Sequence, residues 1–201
     1  MKPMMDILVG TRNPGKLNEI KKLLGPLGLN VHSPEEMGIT NDFEETGKTF
    51  EENALGKARF FYNHLEKKMP VVADDSGLFV EALKDELGVK TRRFGAGADA
   101  NDEEWLTHFM ERMNGEDCRS GKFVCAIAYV TEDLEELFVG ENPGDISAKQ
   151  ETDIVPGIPL SSVFRPLGYD KVYSALPDEE KNKISHRGKA FHKLINYLQN
   201  V

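Results

Sequence analysis

The run Val71-Val72-Ala73-Asp74-Asp75-Ser76-Gly77-Leu78-Phe79-Val80 places two adjacent carboxylates inside an otherwise apolar, β-branched stretch. A short apolar run of this kind reads as a buried strand. In an extended chain neighbouring side chains point to opposite sides, so Asp74 and Asp75 address different surroundings. Two carboxylates this close resist joint ionisation unless a cation or several donors compensate. Hard oxygen ligands suit Mg²⁺, above all when a phosphate completes the coordination. The strand is expected to stop at the acids, which would then sit at the edge of a sheet. Asp-Ser-Gly is also ordinary turn chemistry, and a strand-to-turn exit that holds no ligand is the competing reading.

Upstream, residues 6–10 read as a short buried strand, followed by Thr11-Arg12-Asn13-Pro14-Gly15-Lys16 and a helix to about Leu24. Asn13 suits an N-cap and Pro14 the first helical position. A loop between a strand end and a helix N-terminus presents N–H groups and positive dipole to an anion. Gly10, Gly15 and Lys16 nearly match a phosphate-binding P-loop, but Leu17 stands where that motif needs Ser or Thr for Mg²⁺. Residues 29–33 read as a second strand. Thr49-Phe50-Glu51-Glu52 has the pattern of a capping box opening a helix to about Lys67. Phe50, Ala54, Ala58, Phe61 and Leu65 form its buried stripe, with Asn53 and Lys57 one turn apart on a neighbouring face. Glu44 and Glu45 precede it on a loop, as candidate metal ligands or as solvated surface charge.

Downstream, residues 87–97 make a basic, glycine-flanked loop, a candidate phosphate clamp in an acidic chain. Residues 102–113 read as a helix whose Trp105, Phe109 and Met113 stripe suits a core. Residues 122–131 and 134–141 read as a hairpin across Glu132-Asp133, residues 144–150 as a further strand, and 157–167 as a loop or irregular strand. A helical region starts at 177–182, and Ser185 suits the cap of a last helix carrying Ala190, Phe191, Leu194, Ile195 and Leu198. Strands and helices alternate early and a hairpin follows, which gives an α/β class with a mixed sheet. The 201 residues are expected to form a single domain, 1–201.

Formal net charge is −9, which argues against a nucleic-acid duplex or an anionic membrane as partner. It leaves room for a phosphorylated small molecule, since a local basic cluster or a metal reverses the field. Cys118 and Cys125 fit neither a disulfide framework nor a metal knuckle. No basic start precedes a long apolar run, so a cytoplasmic protein without signal peptide or membrane helix is expected.

Five stretches stand in one order: 10–16, Glu44-Glu45-Thr46-Gly47-Lys48-Thr49-Phe50-Glu51-Glu52-Asn53-Ala54, Ala73-Asp74-Asp75-Ser76-Gly77-Leu78, 88–95, and Lys181-Asn182-Lys183-Ile184-Ser185-His186-Arg187-Gly188. In this order the chain resembles the inosine triphosphate pyrophosphatase family over most of its length. The resemblance implies a two-lobed α/β fold on a curved mixed sheet with flanking helices, an active-site cleft between lobes, and a homodimer. It implies Mg²⁺-dependent hydrolysis of non-standard purine nucleoside triphosphates (inosine, xanthosine and deoxyinosine triphosphates) to monophosphate and pyrophosphate, which cleanses the nucleotide pool. Residue by residue, it assigns Thr11, Asn13 and Lys16 to the triphosphate, with Ser76, Thr91 and Arg93 also on the substrate. Glu45, or Glu44 in a competing register, and Asp75 go to the metal. Asp75, with Asp74 beside it and Lys57 on the next helix, goes to catalysis. Lys181, Ser185, His186 and Arg187 go to base recognition and the phosphate side. His186 has no matched serine and aspartate, so a serine-hydrolase triad is not supported.

The family's Gly-Phe-Gly-Tyr/Trp-Asp-Pro run is not kept. Its equivalent here is Gly157-Ile158-Pro159-Leu160-Ser161-Ser162-Val163-Phe164, with Ile158 where the stacking aromatic belongs and Ser161 where the Asp belongs. The stretch Leu87-Gly88-Val89-Lys90-Thr91-Arg92-Arg93 is also more basic than its counterpart. An altered base preference is therefore one expectation. A nucleotide-binding protein without efficient turnover is the alternative reading.

Overall fold

The computed structural model describes residues 5–84, 86–95 and 100–200, with the Arg93 side chain outside that set. Six strands form one mixed sheet: β1 (Asp6–Val9), β2 (Asn30–His32), β3 (Val71–Val80), β4 (Ser120–Val130), β5 (Glu135–Ile146) and β6 (Phe164–Pro166). Their order is β2-β1-β3-β4-β5-β6. β1 runs parallel to β2 and β3, and the remaining pairs are antiparallel. Five helices flank it: α1 (Pro14–Leu24), α2 (Phe50–His64), α3 (Asp102–Arg112), α4 (Asp178–Ile184) and α5 (His186–Asn200).

The two faces of the sheet are packed separately. On one, Leu8, Val71, Ala73, Val124, Ala126 and Ala128 meet the Phe50, Ala54, Ala58 and Phe61 stripe of α2. On the other, Ile7, Val9, Val72, Cys125 and Ile127 meet Ile20 and Leu24 of α1 and Phe191 and Leu194 of α5. Fully burying a side chain such as Phe61 is worth about 1.5–3 kcal/mol. A third core continues β3 and β4 into a second lobe, where Leu78, Val80 and Phe123 pack with Trp105 and Phe109 of α3, Leu160, Phe164 and Tyr173.

Local chemistry explains the element ends. Asn13 caps α1, its Oδ1 accepting from the Lys16 N–H at 3.0 Å. Such a cap is worth about 1 kcal/mol. Thr49 Oγ1 accepts from the Glu52 N–H, but Glu52 reaches back to the Lys48 N–H, not to Thr49. Ser185 Oγ accepts from the Gly188 N–H, so the last helix is capped as its sequence suggests. α2 stops at His64, short of Lys67, because Leu65 turns extended. Residues 144–146 continue β5, so the separate strand expected over 144–150 does not form. α5 also sends Lys193 Nζ to the Val139 carbonyl and Lys189 Nζ to the Glu141 carbonyl of β5.

The acids do not end β3. All ten residues pair with β4, with Asp74 opposite Ile127 and Asp75 opposite Ala126. Gly77 is part of the strand for a packing reason. A Cβ there would stand 2.4 Å from the Gly88 carbonyl oxygen, so the turn over Gly88–Arg93 lies directly on the strand. That turn's Thr91 locks the contact: its hydroxyl donates to the Gly88 carbonyl at 2.6 Å and accepts from the Leu78 N–H at 2.9 Å.

Candidate active site

A cleft of about 460 Å³ opens between the lobes. Thr11, Lys16, Glu45, Lys57, Asp75 and Ser76 line it from the first lobe. Trp105, Phe123, Leu160 and Tyr173 line it from the second, with Ile158, Ser161 and His186 beside them. One side is ionic and the other is aromatic and aliphatic.

Because β3 is extended, its two acids face different ways. Asp74 is fully buried on the α1/α5 side, with Lys16 Nζ at 3.1 Å and Arg187 Nε at 3.4 Å from its Oδ2. Burial works to raise its pKa, but Lys16, Arg187 and Lys57 outweigh it and hold the carboxyl well below the usual range. Asp74 does not line the cleft and lies beneath it as counter-charge to Lys16 and Arg187.

Asp75 faces α2. Its Oδ2 accepts from Asn53 Nδ2 at 2.9 Å and its Oδ1 from the Ser76 N–H at 2.8 Å. Burial raises its pKa, and the Glu45 carboxylate raises it further against the pull of Lys16 and Lys57. Lys57 pairs with Glu45 and donates to the Asp74 carbonyl at 3.1 Å. Burial alone would lower the Lys57 pKa, but Glu45, Asp74 and Asp75 together raise it, so its ammonium is kept. Of the two candidate glutamates the structure brings Glu45 to the cleft, while Glu44 is exposed and off its wall.

Asp75 and Glu45 suit a divalent cation. Both face the cleft, and their mutual repulsion with burial makes ionised Asp75 costly without a positive partner. Among the described residues no three or more His, Cys, Asp or Glu side chains converge as a cage. Two carboxylates are the set Mg²⁺ takes when substrate phosphates complete its shell.

Other expected residues have their polar atoms engaged. Asn13 spends Oδ1 on the α1 cap and Nδ2 on the Gly157 carbonyl at 2.7 Å. The Thr11 N–H goes to the Val9 carbonyl, and Thr11 Oγ1 accepts from the Asn13 N–H. Several amides of the 11–17 loop are thus bonded within the loop, while the Lys16 ammonium and the Thr11 hydroxyl line the cleft. Thr91 lines the cleft, yet its hydroxyl bonds backbone. The Arg93 side chain lies outside the described residues.

Arg187 is buried, donating to Ser76 Oγ at 3.2 Å and pairing with Glu19, which also holds Lys181 Nζ at 2.8 Å. Glu19 was not indicated by any motif, though it lies one turn beyond Lys16 on α1, a spacing that places it on the same face. Trp105 suited a core stripe, and it both joins that core and borders the cleft.

His186 stacks on Phe123 with ring centroids 4.5 Å apart. Burial, and then the neighbouring Arg187 charge, push its pKa well below 6.5. The folded chain rejects a proton that the unfolded chain takes up below about pH 6.5. This contribution is therefore complete above that pH and is lost as pH falls below it. The melting temperature is expected to fall between pH 7.5 and 5.5 by more in the native chain than in His186→Gln, and equal falls would show that His186 is not the group responsible.

The sequence matches the model of the Ham1 family over residues 7–197. It is 39% identical over 194 residues to a dITP/XTP pyrophosphatase of Leptospira interrogans, spanning 96% of each chain. It is 39% identical over 204 residues to a dITP/XTP pyrophosphatase of Aquifex aeolicus, spanning 98% of each. The structure of a HAM1 protein from Coxiella burnetii superposes with a TM-score of 0.82 at 32% identity, covering 98% of this chain and 100% of that one. No described helix is long and apolar enough to cross a membrane.

Proposed function

The chain belongs to the Ham1 family, and from that premise we propose that it is a nucleoside triphosphate pyrophosphatase acting on inosine, xanthosine and deoxyinosine triphosphates. The observation that carries this reading is the division of one cleft into an ionic side and an aromatic side. A triphosphate needs the cations and a purine needs the flat apolar surface.

Lys16, Lys57 and the Thr11 hydroxyl meet the phosphates, and Arg187, fixed by Asp74, Glu19 and Ser76, adds charge from beneath. Glu45 and Asp75 would hold Mg²⁺. That ion supplies charge neutralisation on the phosphate oxygens when bound. Asp75 orients a water against the α-phosphorus and accepts its proton. The new bond joins the water oxygen to the α-phosphorus. The bond to the α,β-bridging oxygen breaks, and pyrophosphate leaves with those electrons. The base rests among Phe123, Tyr173, Leu160 and Ile158, with His186 and Lys181 at its edge. The working form is a homodimer in the cytoplasm, where such nucleotides arise.

The test is a pyrophosphate-release panel with Mg²⁺, covering inosine, xanthosine and deoxyinosine triphosphates against the standard eight. Pyrophosphate and monophosphate in equal amounts, released faster from the oxo-purines, are expected. Orthophosphate as product, or no release from any member, would overturn the reaction.

A further inference from the structure

One residue of the cleft wall is gripped from both lobes. The Gly157 carbonyl accepts from Asn13 Nδ2 at 2.7 Å, and Asn13 caps α1 in the first lobe. The Gly157 N–H donates to Asp102 Oδ2 at 2.5 Å, and Asp102 opens α3 in the second lobe. Asp102 is tied in turn to Arg92, at 3.4 Å. The fit at 157 is tight. Its φ is +80°, and a Cβ there would lie 2.3 Å from Asn13 Oδ1. Ile158, Pro159, Leu160 and Ser161 follow immediately and line the aromatic side of the cleft, whereas Asp102 itself does not.

We propose that Asp102 is a positioning residue: with Asn13 it clasps residue 157 across the two lobes, and so fixes the Ile158–Ser161 wall that decides which base the cleft accepts. This rests on the nucleotide reading of the cleft given above. The wall carries no charged side chain, so its selectivity depends on where its backbone and small side chains stand. Ser161 Oγ is spent on the Ile158 carbonyl at 2.7 Å and Ser161's own carbonyl is held by Ser174 at 2.8 Å. The downstream end of the segment is thus anchored within the second lobe, whereas at the upstream end the Ile158 N–H bonds only the nearby Val155 carbonyl, at 3.0 Å, and the clasp supplies the ties to α1 and α3. A bond from a backbone N–H to a carboxylate is charge-assisted, which makes it stronger than a neutral anchor.

Trp105 is the only tryptophan of the chain and borders the cleft, so its fluorescence reports occupancy without turnover. The native chain, Asp102→Ala and Asp102→Asn are titrated with inosine triphosphate and with adenosine triphosphate in EDTA. Asp102→Ala is expected to weaken inosine triphosphate binding about tenfold, the loss typical of one charge-assisted bond, and to erase the preference over adenosine triphosphate. Asp102→Asn keeps an oxygen for the Gly157 N–H and is expected to retain the preference. A native chain without any preference would overturn the purine-selecting reading and the clasp together. A native preference that survives in Asp102→Ala would overturn the clasp alone. Loss in both variants would assign the effect to charge at the start of α3, and also overturns it. Should Asp102→Ala not fold, Asp102→Ser, whose shorter side chain withdraws the acceptor from the Gly157 N–H, carries the comparison: loss of preference supports the clasp, and retention overturns it.

Discussion

Asp75→Asn is expected to lower pyrophosphate release by about two to four orders of magnitude, the range seen when a positioned base is lost. The fold should survive. The substitution is nearly isosteric and removes a charge that burial and Glu45 already disfavour. Its cost is local: an amide in that place turns one N–H toward either Asn53 Nδ2 or the Ser76 N–H, both donors to Asp75 now. One such mismatch costs about 1–3 kcal/mol. A thermal melt and a release assay on the same purified variant separate the two effects. Turnover near the native level in a folded variant would sink the role given to Asp75.

The neighbouring change should show mainly in stability. Asp74→Asn leaves Lys16 and Arg187 without the carboxylate that both contact. Breaking a buried pair from one side costs about 3–5 kcal/mol, which for a chain of this size lowers the melting temperature by roughly 10 °C. Activity falls as well, since the same two cations serve the cleft, but the diagnostic result is the melt. An Asp74→Asn chain that melts like the native one would mean that Glu19 and Ser76 suffice to hold Arg187. Two adjacent positions are thus expected to yield a folded variant whose main loss is activity and a second whose main loss is stability.

Both the outline of the fold and the ionic half of the cleft were legible in the chain, for local reasons. The period-2 alternation of Val71–Val80 predicts that Asp74 and Asp75 part company, and they do. Caps at Asn13, Thr49 and Ser185 stand where their residue types place them. Asn53 and Lys57, one turn apart on α2, both reach β3, Asn53 at the Asp75 carboxylate and Lys57 at the Asp74 backbone carbonyl. What was not legible depends on distant approach. Gly77 looked like a turn residue, and only the Gly88–Arg93 turn lying on β3 explains it. No motif points to Glu19, because its partners Lys181 and Arg187 come from the far end of the chain. Thr91 and Asn13 have the right types for ligand contact and line the cleft, but each also bonds backbone groups that no local pattern reveals.

The lysines that α5 sends to β5 have a consequence for the chain's behaviour in company. β6 pairs with β5 only over Gly144–Ile146, so among the described residues the stretch before it is a sheet margin without a strand partner. An uncovered margin is a template onto which another polypeptide can add in register, the first step toward insoluble assemblies. Lys193 and Lys189 occupy the Val139 and Glu141 carbonyls there, and their charges repel a second copy approaching the same margin. The last helix therefore guards colloidal stability as well as carrying His186 and Arg187 to the cleft, and a chain whose tail frays would lose solubility together with catalysis.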